Sequence, residues 1–468
     1  MFYKLVLSLL LVCFTLPFLR GQEVYKYAVF LKKKGLSNPY STKQPLVFLS
    51  ARSVERKSKM GIKITKEDLP INPKYVEELK QLIPNSQILN KSNWFNFVII
   101  QTTDTNWVKT TKWPRFVKEI KLIYIGKNPK TTNQRAFSPS AQGGDITKIN
   151  TQSIQYGLAE FQSKSLNIHP LHKQNYLGQN VVIAILDGGF SNVDKIEAFH
   201  HLRQSNRILG TYDFAAQESE VYGDGEHGTM VLGCMAGFVE NKFIGTAPLA
   251  SYYLLRTEDA GSETVTEEYN WISGAEFADS VGADLINSSL GYTKFDKNLG
   301  SYTYADMNGK TPLISRGATI AVSKGILVVN SAGNSGNDSW KYIGAPADAD
   351  KVFSIGATNK ENQRVAFSSV GPTSDGRIKP NIAALGSNAA VINSAGSVTT
   401  ASGTSFSSPI ICGTLACLIG KHTFLKPEVI MRAVEQSASN SKIPSNELGY
   451  GIPDFMKADK LLSEKKKK

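Results

Sequence analysis

The sequence predicts an α/β protein with a parallel sheet, preceded by a small α+β unit. Its 468 residues exceed one typical domain, so two folded units are expected. From about residue 146, short apolar runs alternate with helical stretches, and this alternation is typical of a parallel sheet. Before about residue 126 the chain is strongly basic, and a stretch without apolar periodicity separates the two regions.

The first unit, residues 22–126, is predicted to contain three strands and three helices. We expect strands at 24–31, 96–100 and 122–125, and helices at 53–60, 73–82 and 106–120. Residues 127–145 are rich in Pro, Thr, Ser, Asn and Gly and show no apolar period. We interpret them as a linker.

The second unit, residues 146–462, is predicted to be a single α/β domain followed by a basic tail at 463–468. Residues 181–186 are continuously apolar, as expected for a strand buried on both faces. Similar apolar runs lie at 251–255, 283–288, 326–331 and 351–357. The helical stretches in this unit lie at 229–238, 267–281 and 312–324.

Residues 1–21 have the pattern of a secretory signal peptide. Lys4 supplies a positive start, residues 5–19 are almost entirely apolar, and Gly21 offers a small residue for cleavage. This run is short for a membrane span, and no later stretch reaches about 18 uninterrupted apolar residues. We therefore expect a protein that is secreted or periplasmic, without a transmembrane segment.

The net charge of +13 is concentrated in the first unit. Residues 22–135 contain 22 Lys+Arg and 8 Asp+Glu, whereas residues 136–468 contain 29 and 32. The nearly neutral second unit argues against a nucleic-acid partner. Without the signal, the cysteines are Cys234, Cys412 and Cys417, which allow one disulfide at most; we expect buried thiols on helices.

Three segments place reactive side chains at junctions that lead into helices. Asp187 follows the strand at 181–186, His227 opens a helical stretch, and Ser405 begins a helix that runs to about residue 420. Taken singly, such an Asp fits a turn and such a Ser fits an N-cap. Their conjunction favours a catalytic site, because open α/β sheets build their sites at the carboxyl ends of strands.

The motifs around these residues resemble the subtilisin-like serine proteases over most of residues 152–460. The matching segments are 183–187, 227–229 (His-Gly-Thr), 287–291 (Asn-Ser-Ser-Leu-Gly), 332–334 (Ala-Gly-Asn), 362–371 and 403–409 (Gly-Thr-Ser-Phe-Ser-Ser-Pro). The resemblance implies a doubly wound, mainly parallel sheet with helices on both faces. The order Asp, His, Ser is that of the subtilisin triad, whereas esterases run Ser, Asp, His.

The resemblance implies a serine endopeptidase that works through an acyl-enzyme. Ser405 is the expected nucleophile, and its hydroxyl needs a base because it is almost un-ionised at neutral pH. His227 is the expected general base and acid, oriented by Asp187. Asn334 and the backbone N–H of Ser405 are the expected oxyanion hole.

The same resemblance implies a substrate-binding edge and a pocket. Ser289, Leu290 and Gly291 are expected to pair with the extended substrate backbone. With Ser331, Ala332 and Gly333, this edge is expected to wall the pocket for the side chain that precedes the scissile bond. Gly344 is expected at its floor, so that the pocket accepts large apolar side chains.

The first unit fits the pro-segment of this family, which assists folding and blocks the cleft until it is cleaved. Its basic charge favours docking onto the second unit. We expect self-cleavage between residues 127 and 150. The expected partners are protein or peptide substrates and, transiently, the chain's own pro-segment.

No metal or cofactor is expected to be required for the chemistry. The loop at 240–248 is shorter than the calcium loop of many relatives, and Lys242 adds positive charge where calcium wants oxygen ligands. A structural calcium elsewhere is left open. A catalytically inactive binding module with this fold is the other alternative, although Asp187, His227, Asn334 and Ser405 are all present.

Overall fold

The computed structural model describes residues 23–35, 37–83, 85–127 and 151–465. In these ranges the strands are β1 (Glu23–Leu31), β2 (Gln87–Ser92), β3 (Phe97–Thr102), β4 (Val117–Lys127), β5 (Val182–Asp187), β6 (Ile208–Asp213), β7 (Phe238–Val239), β8 (Phe243–Ile244), β9 (Ser251–Arg256), β10 (Leu285–Ser288), β11 (Leu327–Ser331), β12 (Phe353–Thr358), β13 (Ile382–Leu385), β14 (Ala389–Ile392) and β15 (Val398–Ala401). The helices are α1 (Ala51–Lys59), α2 (Pro73–Leu82), α3 (Trp107–Thr110), α4 (Glu160–Lys164), α5 (His169–Lys173), α6 (His200–Gln204), α7 (His227–Ala236), α8 (Thr266–Val281), α9 (Leu313–Ser323), α10 (Thr404–Lys421), α11 (Pro427–Ser437) and α12 (Phe455–Lys465).

The N-terminal unit, residues 23–127, is built on an antiparallel sheet with the strand order β2-β3-β1-β4. Side chains of β3 alternate between two cores because successive residues of a strand point to opposite faces. Val98 and Ile100 pack with Leu79 of α2, whereas Phe97 and Ile99 face the rest of the protein. This sheet is therefore covered on both sides.

The helix predicted at 106–120 is wrong. Only Trp107–Thr110 is helical, and β4 begins at Val117. Pro114 interrupts the stretch, since proline breaks a helix interior and disfavours helical geometry in the residue before it. Pairing with β1 then holds the following residues as a strand. Strand β2 was not predicted, while the other predicted elements of this unit are confirmed.

The C-terminal unit, residues 151–465, contains a seven-stranded sheet in the order β13-β12-β11-β10-β5-β9-β6, and all of its strand pairs are parallel. Alternate residues of β5 enter two separate cores. Ile183 and Ile185 pack with α7 and α10, whereas Val182, Ala184 and Leu186 pack with α8 and α9. The doubly wound sheet with helices on both faces is thereby confirmed. Strands β6 and β13 were not predicted.

The two units share an apolar core. Phe97 is fully buried, and its ring lies 5.0 Å from that of Tyr269 on α8. Burying such an aromatic side chain contributes about 1.5–3 kcal/mol. At the same surface, the carboxylate of Glu276 accepts hydrogen bonds from Ser92 Oγ and from the backbone N–H groups of Asn93 (2.6 Å) and Trp94 (3.0 Å).

A buried ion network adds to this interface. Arg56 and Lys57 of α1 contact the carboxylate of Asp279 on α8 at 2.5 and 2.9 Å. Lys57 and Lys324 also contact Asp68, at 3.6 and 3.1 Å. The pairs of Arg56 and Lys57 with Asp279 have the predicted direction, with the basic groups on the first unit, whereas Lys324 and Asp68 pair in the opposite direction.

The cysteine prediction is confirmed for the described part of the chain. Cys234 lies on α7, Cys412 and Cys417 lie on α10, and all three are free and buried. In the described ranges, no helix is long and apolar enough to cross a membrane. The predicted signal peptide and linker lie outside the described residues.

Candidate active site

Asp187 is the last residue of β5 and is fully buried at the carboxyl edge of the sheet. The strand ends in a tight turn at Gly189, where φ is +139° and a Cβ would lie 2.0 Å from the carbonyl oxygen of Asp224. Asp187 Oδ1 accepts hydrogen bonds from the N–H of Gly188 and from His227 Nδ1, both at 2.8 Å. Because a carboxylate only accepts, the proton of this bond lies on Nδ1.

His227 begins α7, and its side chain is 38% exposed. Burial alone would lower the pKa of His227. The charge of Asp187 and the hydrogen bond to it outweigh burial, with a contribution from Glu258, and raise the pKa to about 9. With Nδ1 held by Asp187, Nε2 is the atom of the neutral ring that can accept a proton.

The close packing of Gly228 explains why a glycine follows His227. A Cβ on Gly228 would lie 2.4 Å from the carbonyl oxygen of Gly189. The start of α7 therefore packs directly on the turn that follows Asp187, and only glycine permits this approach. The two motifs are interlocked, which fixes the position of His227 relative to the end of β5.

Ser405 lies at the N-terminus of the 18-residue helix α10, and its residue is 8% exposed. Gly403 precedes the helix with φ of +156°. Ser405 Oγ lies 3.4 Å from the carbonyl oxygen of Ser289, and the rings of His227 and Phe406 are 5.9 Å apart. The imidazole is therefore a neighbour of the residue that follows Ser405, and the helix N-terminus adds positive potential and free N–H groups there.

Asn334 lies on the other side of this helix start. Its Oδ1 accepts hydrogen bonds from the N–H and the Oγ1 of Thr404, both at 2.9 Å. These donors identify the accepting atom as the amide oxygen, so Nδ2 is the end left to donate. A Cβ on Gly403 would lie 3.5 Å from this Nδ2. Nδ2 therefore lies close to Gly403, two residues before Ser405, and its role as an oxyanion donor stays a prediction.

The segments predicted to bind substrate lie around α10. Ser289 Oγ donates to the carbonyl oxygen of Ser405 at 2.9 Å, and Ser289 and Leu290 are buried. A Cβ on Gly291 would meet no atom within 4 Å, so this edge is open. The N–H of Gly333 donates to Thr404 Oγ1 at 3.2 Å.

Three further predicted residues are close-packed. Ser331 ends β11, and Ala332 is buried next to it. A Cβ on Gly344 would lie 3.1 Å from Thr293 Cγ2, and Ala345 exchanges two backbone hydrogen bonds with Tyr292. Gly344 therefore lies against the segment that follows Gly291. The roles of all these residues in binding substrate stay predictions.

Sequence reasoning missed Glu258 and Tyr292. Tyr292 Oη donates to Glu258 Oε1 at 2.7 Å, and burial is the main cause that raises the pKa of Glu258 to about 8. A Cβ on Gly188 would lie 3.6 Å from Glu258 Oε2, so this carboxyl is close to Asp187. The available signal was position: Glu258 comes two residues after β9, the parallel neighbour of β5.

The expectations about metals remain predictions. In residues 23–465, leaving aside the undescribed positions, no three His, Cys, Asp or Glu side chains are grouped to hold a metal ion. The loop that was expected to lack calcium forms the short hairpin of β7 and β8, with Lys242 exposed at its turn. The ammonium of Lys379 is buried against Val352 O (2.6 Å) and Asn381 Oδ1 (2.8 Å).

Comparison with known proteins identifies both units. Residues 178–451 match the model of the subtilase family, and residues 26–138 match the model of the peptidase S8 propeptide domain of Bacteroidota. Subtilisin NAT of Bacillus subtilis subsp. natto is 32% identical over 275 residues, which are 58% of this chain and 62% of that protein. Serine protease AprX of Bacillus subtilis (strain 168) is 28% identical over 58% of this chain and 63% of its own length.

Solved structures agree in fold. The epidermin leader peptide processing serine protease of Staphylococcus aureus has a TM-score of 0.58 at 18% identity and covers 94% of this chain and 98% of its own. The CspB protease of Clostridium perfringens has a TM-score of 0.55 at 17% identity, over 64% of this chain and 99% of its own. The chain spans a little less than two thirds of the length of these two Bacillus relatives. With a family model matching more than half of its length, the chain belongs to the subtilase family of serine peptidases.

Proposed function

We propose that the protein is a secreted serine endopeptidase made as a self-processed precursor. The observation that carries this proposal is the hydrogen bond between the buried Asp187 and His227 beside the N-terminus of α10, where Ser405 lies. Membership of the subtilase family supports the same activity. All four residues expected for this chemistry lie at one edge of the sheet.

In the proposed reaction, Ser405 Oγ attacks the carbonyl carbon of the scissile peptide bond, and His227 Nε2 takes the hydroxyl proton. Asp187 keeps the proton of the ring on Nδ1 and stabilises the imidazolium that forms. The C–N bond then breaks, and His227 gives its proton to the leaving amine. Water attacks the resulting ester by the reverse sequence and releases the acid and free Ser405.

The negative oxygen of the tetrahedral intermediate needs donors that are already oriented. Asn334 Nδ2 and the backbone N–H of Ser405 are the proposed donors, and the hydrogen bonds from Thr404 to the amide oxygen of Asn334 support this role by leaving Nδ2 free to donate. Loss of one such donor costs about 3–4 kcal/mol of transition-state stabilisation, a magnitude that was measured on subtilisin itself.

The N-terminal unit is the proposed transient inhibitor. It matches a propeptide model, it shares a core with the C-terminal unit, and its strand β4 runs alongside the beginning of α8. Thr266 Oγ1 donates to the carbonyl oxygen of Ile123 at 3.0 Å, and Lys297 Nζ donates to that of Ile125 at 3.1 Å. Export by residues 1–21 and processing between 127 and 150 complete the proposal.

The test compares residues 22–468 with the same chain carrying Ser405→Ala. We expect the natural chain to lose about 110–130 N-terminal residues, as cleavage between residues 127 and 150 requires, and to digest an unfolded protein. Intact mass and release of fragments measure the two effects. The Ser405→Ala chain is expected to do neither. If both chains stay intact and inert, the protein is a binding module with a protease fold.

A further inference from the structure

An acidic groove lies between the end of β9 and the beginning of α8. It has a volume of about 330 Å³, and no lysine or arginine of the described residues lines it. Its charged lining consists of Glu258, Asp259, Glu263, Glu267 and Asp296. Five carboxyl groups with no basic side chain among them favour a positively charged ligand, because a nearby cation stabilises the ionised form of each carboxyl.

Glu267 places a buried, unpartnered carboxyl oxygen at this groove. The residue is 2% exposed, and its Oε1 has no hydrogen-bond partner among the described residues. Burial raises the pKa of Glu267 to about 10, and the nearby charges of Glu258 and Glu263 add to the effect. A buried carboxyl oxygen without a hydrogen bond is costly, and a cation in the groove would supply the missing interaction at Oε1.

The N-terminal unit already brings a cation towards these acids. Lys26 of β1 is 7% exposed, and burial lowers its pKa. The charges of Asp259 and Glu267, together with Asp213, act in the opposite direction and favour its ammonium form. The sequence that follows β4 is basic as well, with Lys130 and Arg135 and no acidic residue before Asp145. An ammonium group is therefore the kind of ligand that this surface attracts.

The groove adjoins the proposed catalytic residues. Arg256, the last residue of β9, is paired with Asp187 in the sheet, and Glu258 lies two residues further on. Glu258 accepts a hydrogen bond from Tyr292, which directly follows Gly291 at the open edge. A peptide paired along that edge would therefore pass the groove as it runs away from Ser405.

The alternating direction of side chains in an extended substrate peptide determines which of them can reach the groove. Side chains of successive residues point to opposite sides. The residue before the scissile bond enters the predicted pocket beside Ala332 and Gly333, so the second and fourth residues before the bond point away from it. We propose that the acidic groove binds a lysine or arginine side chain of the substrate at the second or fourth position before the scissile bond. This inference rests on the proposed endopeptidase activity and defines its substrate class.

The test uses the processed enzyme and fluorogenic peptides that differ at these two positions. Each peptide set carries lysine, norleucine or glutamate at one position and is otherwise identical. We expect kcat/KM for the lysine peptide to exceed that for the norleucine peptide by about tenfold, which corresponds to one favourable charge contact. Glu267→Gln and Glu263→Gln are expected to remove this preference while norleucine peptides are still cleaved.

Glu361→Gln is the matched control. Glu361 is an exposed acid after β12, four strands away from β9 in the sheet, so its removal changes the net charge equally but leaves the groove intact. Its lysine preference should equal that of the natural enzyme. Continued cleavage of norleucine peptides by the groove variants shows that they are folded.

Two results would overturn the inference without touching the proposed function. One is digestion of an unfolded protein by an enzyme that shows no lysine preference at either position, or whose preference survives both groove substitutions. The other result has two parts: the enzyme shows no preference for lysine peptides in kcat/KM, and added Ca²⁺ raises its Tm unless Glu267→Gln is present. That result would make the groove a metal site. An enzyme that cleaves no peptide at all refutes the proposed function instead.

Discussion

Replacement of Asp279 by asparagine is expected to loosen the N-terminal unit without unfolding the C-terminal unit. Asp279 holds Arg56 at 2.5 Å and Lys57 at 2.9 Å, and all three side chains are at most 3% exposed. Removing the acid leaves two buried cations short of a partner, and breaking a buried pair in this way costs about 3–5 kcal/mol. That energy corresponds to an increase of about 150-fold or more in the population of the undocked state.

Hydrogen exchange on the Ser405→Ala precursor measures this change. The amides of α1 are expected to exchange faster by about two orders of magnitude, up to the limit set by other openings, while those of β5 keep their protection. Arg52→Ala is the matched control. Arg52 pairs with Asp284 at the same 2.5 Å, but its side chain is 41% exposed. Exposed pairs contribute about 0–1 kcal/mol, so the control should accelerate exchange by less than about fivefold.

A triple variant separates charge pairing from simple packing. Arg56→Met, Lys57→Met and Asp279→Leu together remove the buried charges and keep apolar volume, while Lys324 still pairs with Asp68. Buried pairs replaced as a set are often neutral or stabilising, so protection of α1 should return to near its original level. Unchanged exchange in the Asp279→Asn chain, or no recovery in the triple variant, would refute the reasoning.

Four further outcomes are expected. Asn334→Ala should lower kcat by about 10²–10³-fold with little change in KM, in steady-state kinetics, because its donor acts on the intermediate. Gly228→Ala should lower both Tm and kcat, because the new Cβ would lie 2.4 Å from the carbonyl oxygen of Gly189 and displace the start of α7. The pKa of His227 is raised from 6.5 to about 9 in the folded protein. Its stabilising contribution is therefore complete below pH 6.5 and is lost as the pH rises towards 9. Over this range, the Tm of the Ser405→Ala precursor should fall more steeply than the Tm of the same chain with His227→Gln. Addition of EDTA should leave the Tm of the processed enzyme unchanged in calorimetry, and a fall of several degrees would show a structural cation.

The sequence predicted the sheet of the C-terminal unit because its strands are buried on both faces. The run that becomes β5 is apolar at every position, and such a run has few other structures open to it. The edge strand β6 was missed for the opposite reason. Five of its six residues are only partly buried, with Gly210 in its middle, so its sequence carries no comparable signal.

The candidate site also contains residues that the sequence predicted and residues that it did not. Asp187, His227 and Ser405 were predicted because short motifs surround them and because the family order of those motifs is distinctive. Glu258 and Tyr292 belong to no such motif, and their contact joins segments 34 residues apart. The acidity of the groove became visible only when β9 and α8 were packed side by side.

The buried charges between the two units suit a domain that is later removed, as the proposed processing requires. In the precursor, Glu276 and Asp279 are at most 9% exposed. Their partners Trp94 and Arg56 come from the N-terminal unit. Once that unit leaves, water replaces those partners on the outer surface of α8. The carboxylates then regain their hydration instead of remaining buried and unpaired. Charge pairs therefore give the interface specificity and leave hydrated side chains on the surface of the processed enzyme. An interface made only of residues such as Phe97 and Tyr269 would leave a larger exposed apolar patch.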